Sequence, residues 1–569
     1  MNTYTPRPSG TPLFRGDFQA IAARGRRIPS NKRGGAQRRG VFVRMLLGLA
    51  IAVRLTLAAA PAPRPNILLI CVDDLKPNLG CYGDPIAKTP NLDRLAARGM
   101  RFDAAYCNQA VCAPSRNNLM LGSRSTSLGI YNLSTNFRVA VPNAVTMTQY
   151  FMRAGWRAEG MGKILHVGHG NVNDDASWSV PFVKEKLVEY LRPESTAGGK
   201  LTREEAFFTN AQAGPINSLP RGAAWEDPDV PDEAYGDGRL AQEAIRRLRA
   251  ARERSNEPLF LAVGFARPHL PFCVPKKYWD LYDPAKMPLA LRTTPPDGAP
   301  PYAGKTLLEL NNYEPVPERP PLPAELQRKL IQGYYASASF TDAQVGKVVD
   351  ELDRLGLAER TIIVLWGDHG WHLGDHGMWT KHTNYEQATR IPILIVAPGV
   401  TKPGMHSPAL IETVDIFPTL CELAGLPVPT SVAAVADRGP SLAGPAAAKS
   451  ARAGELTVPQ PMDGRSFARV LRDPSVKLRD HAYHAYPRNR GGGPGGEVMG
   501  RAIRTERYRL VEWKKIGAPP ETADLELYDY REDPGETRNL AKDQPQVVAK
   551  LRAMLATHPE AKPPVAAKR

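Results

Sequence analysis

The stretch "NILLICVDD", residues 66–74, is an unbroken apolar run that ends in two acids. A strand with one wet face alternates apolar and polar residues. A run without alternation fits a strand covered on both faces, as in a parallel sheet. The same grammar recurs in "PLFLAVGF" (258–265), "TIIVLWGDHG" (361–370) and "IPILIVAPG" (391–399). Between these runs lie helical patterns: "TPNLDRLAARG" (89–99), "TMTQYFMRAG" (146–155), "LAQEAIRRLRAARER" (240–254) and "FTDAQVGKVVDELDRLG" (340–356). Helices alternating with buried strands predict a central sheet with helices on both faces.

Two of the predicted strands end in acids, Asp73 and Asp74 on one, Asp368 followed by His369 on the other. Ligands of open α/β sheets sit at the carboxyl ends of the strands. If both strands are central and parallel, three carboxylates meet at one edge. Two carboxylates about 4 Å apart repel by roughly 4 kcal/mol at an effective dielectric of 20. Such a cluster needs a cation or must take up protons, and its hard oxygen donors suit calcium or magnesium better than zinc. Taken singly, either acid pair also reads as a helix cap or a turn.

"QAVCAPSRNN", residues 109–118, adds a lone Cys112 with Pro114, Ser115 and Arg116 behind it and no base beside it. The proline places Cys112 at or just before a helix N-terminus, where backbone N–H groups favour an anion. Arg116 lies one turn along. The six cysteines show no CxxC pair and no zinc spacing, and Cys71 reads as a core residue.

The net charge of +16 is concentrated at the N-terminus: residues 1–60 hold eleven Arg/Lys against the single acid Asp17, which leaves about +6 for the rest. No basic stripe interleaved with aromatics appears, so nucleic acid is not an expected partner. The segment from Arg38 to Asn66 carries basic residues, an apolar stretch broken by Arg54, and Ala58–Ala60. It reads as an export signal rather than a stable membrane span, which needs about 20 apolar residues. The expected location is periplasmic or secreted. Residues 1–44 then precede the signal as a mis-assigned start or an extension.

The expected organisation is an N-terminal extension with its signal over 1–62, a catalytic domain over 63–462 and a small α+β subdomain over 463–558. Residues 427–462, rich in Ala, Pro and Gly, read as an insertion or linker, and 559–569 as a disordered tail. In the subdomain, "GRAIRTERYRLVEWK" (500–514) alternates like an antiparallel strand, and "QPQVVAKLRAMLATH" (544–558) reads as a closing helix.

Cys-Ala-Pro-Ser-Arg resembles the signature of the sulfatase family, Cys-x-Pro-Ser-Arg. The strand-terminal "VDD" and "GDHG" are similar to that family's metal motifs, and the resemblance runs from about Asn66 to Ala556. "QAVCAPSR", "GKILH" (162–166), "GFARPHLPF" (264–272) and "GDHGWHLGDHGMWTKHTN" (367–384) look most like its iduronate-2-sulfatase branch. The resemblance implies an alkaline-phosphatase-like three-layer α/β/α fold, with a large mostly parallel sheet and a C-terminal antiparallel sheet. It implies hydrolysis of sulfate monoesters of sulfated carbohydrates, with Cys112 oxidised to formylglycine by a dedicated generating enzyme. It implies one calcium ion held by Asp73, Asp74, Asp368, His369 and the modified Cys112. Imidazole is an unusual calcium ligand, so His369 departs from the general pattern.

In the same carry-over, Arg116 steadies the formylglycine hydrate, while Lys163, His269 and Lys381 surround the sulfate. His269 serves as general acid for the leaving oxygen, and His166 takes the proton whose loss expels sulfate. Read without the family, Lys163, His166 and Lys381 are ordinary solvated or hydrogen-bonded groups, and His269 is a turn residue. His372, His376 and His382 are expected in structural or solvent roles. Two alternatives stay open on sequence: a phosphodiesterase or phosphonate monoester hydrolase of the same superfamily, and a non-catalytic binder of sulfated glycans should Cys112 stay a thiol.

Overall fold

The computed structural model describes residues 64–211, 215–254, 256–305, 307–431, 457–489 and 497–566. The expected signal, most of the expected linker and the end of the tail lie outside the described residues. Seven strands make the main sheet: β1 (Asn66–Val72), β2 (Met100–Tyr106), β3 (Arg157–Gly162), β4 (Leu259–Phe265), β5 (Thr361–Gly367), β6 (Ile393–Val396) and β7 (Met405–Glu412). Their spatial order is β7-β2-β6-β5-β1-β4-β3. β1 is central and parallel to both neighbours, with Ile70 opposite Val263 on β4 and Leu365 on β5. Only β6 runs against the rest, antiparallel to β5 and β2.

Every residue of β1, β4 and β5 is buried, which explains the unbroken apolar runs. On one face Ile67, Leu69 and Cys71 pack under α2 (Cys112–Leu121), α3 (Met147–Arg153) and α6 (Ile416–Leu423). On the other, Leu68, Ile70 and Val72 meet α1 (Pro90–Arg98), α4 (Gly236–Glu253) and α5 (Ala324–Arg354). The result is the three-layer α/β/α fold. α5 begins 16 residues before the stretch that signalled it. Its first half carries Gly333, whose missing Cβ would stand 2.7 Å from the Phe272 ring. Residues 330–342 are buried on every side of the helix, so no polar face marks its period in the sequence.

The C-terminal sheet is antiparallel in chain order: β8 (Ala482–Arg488), β9 (Val498–Arg504), β10 (Tyr508–Lys514) and β11 (Asp524–Asp529). The stretch 500–514, expected as one strand, is therefore a hairpin, closed where Thr505 N–H donates to Tyr508 O at 2.8 Å. Four consecutive polar residues, 504–507, interrupt the alternation at the turn. α7 (Pro545–Leu555) covers one face through Val548, Leu551 and Leu555. The other face, with Val511, Trp513 and Tyr528, packs on Tyr302, Met378 and Tyr385. The described ends of the linker meet, as Thr430–Ser431 pairs in parallel with Thr457–Val458.

Gly500 on β9 faces the Trp513 indole, and a Cβ there would stand 2.4 Å from the ring. Gly500→Ala is expected to cost about 2 kcal/mol through overpacking. Differential scanning fluorimetry should show a fall of a few degrees in Tm.

Candidate active site

The site grows from the register of the sheet. The ladder continues one step past the strands: Asp73 N–H donates to Phe265 O at 3.1 Å, and Asp368 N–H to Val72 O at 3.2 Å. Asp73 and Asp368 therefore leave the sheet side by side. Asp368 Oδ1 accepts the backbone N–H of Asp74 at 3.0 Å and of His369 at 2.9 Å, tying the two tips together. Asp74 sits at φ +58°, a left-handed conformation that costs free energy in a residue with a side chain. Tyr334 of α5 holds it there. Its hydroxyl donates to Asp74 O at 2.8 Å and accepts from Lys76 N–H at 3.0 Å.

Cys112 is the first residue of α2, which follows Val111 and stops at Gly122, φ +65°. All ten residues of the helix are buried. Ser115 Oγ donates to Asp368 O at 2.5 Å, docking the first turn on the strand tip. Arg116, one turn along, places Nη2 at 2.8 Å from Asp73 Oδ1 and 2.9 Å from Asp368 Oδ2. Its Nη1 donates to the carbonyls of Lys163 and Ile164. Arg116 is thus a buried brace between the two strand tips.

Around Cys112 Sγ, His369 Nε2 stands at 3.4 Å and Lys163 Nζ at 4.0 Å. Lys163 Nζ is paired with Asp73 Oδ2. His369 Nδ1 lies 3.1 Å from Gly370 O, which leaves Nε2 as the free ring nitrogen. Lys381 Nζ is 3.1 Å from Asp74 Oδ1 and 2.8 Å from Glu309 Oε2. His269 Nδ1 bonds Leu270 O at 2.5 Å, while its Nε2 lies 3.0 Å from Glu309 Oε1 and 4.0 Å from Asp73 Oδ2. His166 takes a different partner: its Nε2 is 3.2 Å from His169 Nδ1, and its buried Nδ1 has no hydrogen-bond partner.

Burial sets the charge states. It pushes the Cys112 thiol well above its usual range, reinforced by Asp73, so the sulfur stays protonated. Burial and Asp73 together push Asp368 well above the carboxylate range. Asp74 is also raised, by burial, against the pull of Lys381. Asp73 goes the other way, because Lys163 and Arg116 outweigh its burial. Burial, then Lys381, holds His369 well below its usual value, so its imidazole is neutral.

These residues fit a divalent cation. Ligand atoms of Asp73, Cys112, Asp368 and His369 lie within 4.8 Å of one another, as do those of Asp73, Asp74, Cys112 and His269. Asp368 Oδ2 is buried with the Arg116 guanidinium beside it, at 2.9 Å, and burial pushes Asp368 and Asp74 toward protonation despite Arg116 and Lys381. The first four make a mixed donor set of two carboxylates, a neutral imidazole and the atom at position 112.

A cavity of about 1410 Å³ opens over this cluster, with Cys112, His166, His269 and Lys381 among its lining. Its walls come from 204–211, Ile216, Lys305, 308–312 and 486–489, so the C-terminal sheet contributes through Tyr486 and Arg488. His382 also lines it, its Nδ1 at 2.5 Å from Tyr486 OH. His372 turns instead to Asp375 and Thr383. Glu309, Glu204 and His169 line the cavity and escaped the sequence reading. They lie on stretches with no periodicity, where a lone Glu or His carries no signal.

Tyr334→Phe removes the hydroxyl that braces Asp74 and leaves every cation-facing donor in place. Affinity for an added divalent cation, measured by isothermal titration calorimetry, is expected to weaken by about tenfold or more. Tm in the presence of chelator should move by only a few degrees.

Residues 65–426 match the family described as Sulfatase, and residues 446–560 match that described as N-sulphoglucosamine sulphohydrolase, C-terminal. Iduronate 2-sulfatase of Homo sapiens is 33% identical over 534 residues, covering 84% of this chain and 91% of its own. A solved protein in complex with its substrate D-glucosamine-2-N,6-O-disulfate has a TM-score of 0.62 at 18% identity, covering 87% of this chain and 97% of its own. The phosphonate monoester hydrolase from Silicibacter pomeroyi has the same TM-score at 21% identity, covering 87% and 95%. The fold alone therefore does not separate sulfur esters from phosphorus esters.

Proposed function

The chain belongs to the sulfatase family and is a sulfuric ester hydrolase, and on that premise we propose that it removes sulfate from sulfated carbohydrates, using a formylglycine made from Cys112 and one calcium ion. The observation that carries this reading is the setting of Cys112. Its thiol is buried and held protonated by that burial and by Asp73, which outweigh Lys163 and Lys381, and its nearest imidazole, His369, at 3.4 Å, is itself neutral. A cysteine nucleophile needs the opposite environment.

Asp73, Asp74, Asp368 and His369 would hold the calcium. The bound ion would neutralise sulfate oxygens as negative charge moves toward the leaving group. The formylglycine hydrate would supply the attacking hydroxyl, with a second hydroxyl for release of sulfate. Arg116, wedged between Asp73 and Asp368, keeps the two tips at fixed spacing. Lys163, at 4.0 Å from Cys112 Sγ, and Lys381 on the cavity floor attract the anion. His269 commits Nδ1 to Leu270 O and turns Nε2 toward the cavity, where it can protonate the departing oxygen. His166 is held neutral by burial, then by Lys163, and its free Nδ1 can accept the proton of the second hydroxyl.

Cys112 is 2% exposed. A formylglycine-generating partner must therefore act before the chain closes over it. The likeness to iduronate 2-sulfatase supports a uronate 2-sulfate or related sugar as substrate. The basic, apolar segment 38–60 supports export to the periplasm or beyond, and no helix among the described residues is long and apolar enough to cross a membrane. In this reading 63–462 forms the catalytic domain, and 463–558 a subdomain that supplies part of the cavity wall.

Mass spectrometry of the Cys112 peptide from matured protein should show the aldehyde. Turnover of an aryl sulfate should exceed that of an aryl phosphodiester. Cys112→Ala should lower sulfate-ester turnover on the order of 10³-fold or more. A peptide that is all thiol in fully active protein would overturn the reading.

A further inference from the structure

Glu309 is given no role above, yet its carboxylate touches Lys381, which attracts the anion, and His269, which faces the leaving oxygen. It stands 2.8 Å from Lys381 Nζ and 3.0 Å from His269 Nε2, and it lines the same cavity as Cys112. The carboxylate is built into place rather than stranded on a loop tip. It rides on the short helix Leu308–Asn312, whose Leu310 is buried and bonds back to Leu307 O at 2.8 Å. At the end of that helix, Asn312 Nδ2 donates to Glu204 Oε1 at 2.6 Å.

Lys381 and His269 outweigh burial and hold Glu309 well below the carboxylate range. Glu204 behind it is pushed up to about 8 by burial and by Glu309 itself. The wall therefore presents the Glu309 carboxylate, paired with Lys381 at 2.8 Å, beside the sulfate seat.

We propose that Glu309 is a specificity-determining residue that makes the site favour monoanions over dianions. The proposal rests on the sulfatase reading for the location of the seat. A sulfate ester carries one negative charge. The released sulfate ion carries two, and so does a phosphate monoester above its second pKa of about 6. A fixed carboxylate at the seat repels each anion in proportion to its charge. It therefore tolerates the substrate, opposes phosphate monoesters and helps expel the product.

The test uses matured, calcium-loaded protein at constant ionic strength, with an aryl sulfate as substrate and inorganic sulfate as inhibitor. Turnover by the parent checks the sulfatase reading by itself. Glu309→Gln is expected to lower the inhibition constant of inorganic sulfate at least tenfold, with a smaller change in KM. It should also strengthen inhibition by an aryl phosphate. Glu309→Asp, which keeps the charge, should retain the parent's ratio of inhibition constant to KM. Glu309→Ala replaces the Gln variant should that protein not fold. If inhibition constant and KM fall together, Glu309 merely occupies the seat and the proposal fails. It fails equally if sulfate inhibition is unchanged or weaker in a variant that turns over substrate.

Discussion

Three carboxylates delivered by two adjacent strand tips into a dry pocket form the constraint on which the rest of the structure depends. Ionised carboxylates about 4 Å apart repel by roughly 4 kcal/mol at an effective dielectric of 20, and oxygens of Asp73 lie within 4.8 Å of those of Asp368 and of Asp74. The fold does not avoid this arrangement; the parallel register of β1 and β5 imposes it. It answers with fixed cations. Arg116 lies between Asp73 and Asp368, Lys163 on Asp73, and Lys381 on Asp74. They satisfy Asp73 and leave Asp74 and Asp368 raised, so a demand for positive charge remains at one end of the cluster. Cys112 stands beside that demand, presented by the first turn of a wholly buried helix.

The same layout explains why outlying segments matter. α5 lies under the strand edge, and its Tyr334 fixes the left-handed backbone of Asp74. β8 brings Tyr486 and Arg488 to the cavity wall, and Arg488 Nε is spent on Tyr302 O. The cavity is therefore assembled from segments far apart in the chain around a centre that the main sheet defines. Function-bearing variation can enter through the walls without disturbing the strand register.

The central strands were legible because parallel sheets bury both faces and write that fact as unbroken apolar runs. Asp73, Asp74, Asp368 and Cys112 were legible because each sits at an end of an element, where side chains leave the core. The antiparallel sense of β6 was not, since "IPILIVAPG" reads the same in either direction. The hairpin at Thr505 is marked only by the four polar residues 504–507 that interrupt the alternation. Glu309 and Glu204 gain their meaning only from partners far away in sequence, Lys381 and His269 for the first and Asn312 for the second. His166 was found from its motif, but its bond to His169 required the fold.

The central claim is that these strand tips and position 112 enclose one divalent cation. Anomalous diffraction from crystals of the matured protein grown with calcium tests it most directly. The account predicts a single strong peak with carboxylate oxygens of Asp73, Asp74 and Asp368 at about 2.3–2.6 Å. A strong peak elsewhere, or none at this position with calcium in excess, would contradict it.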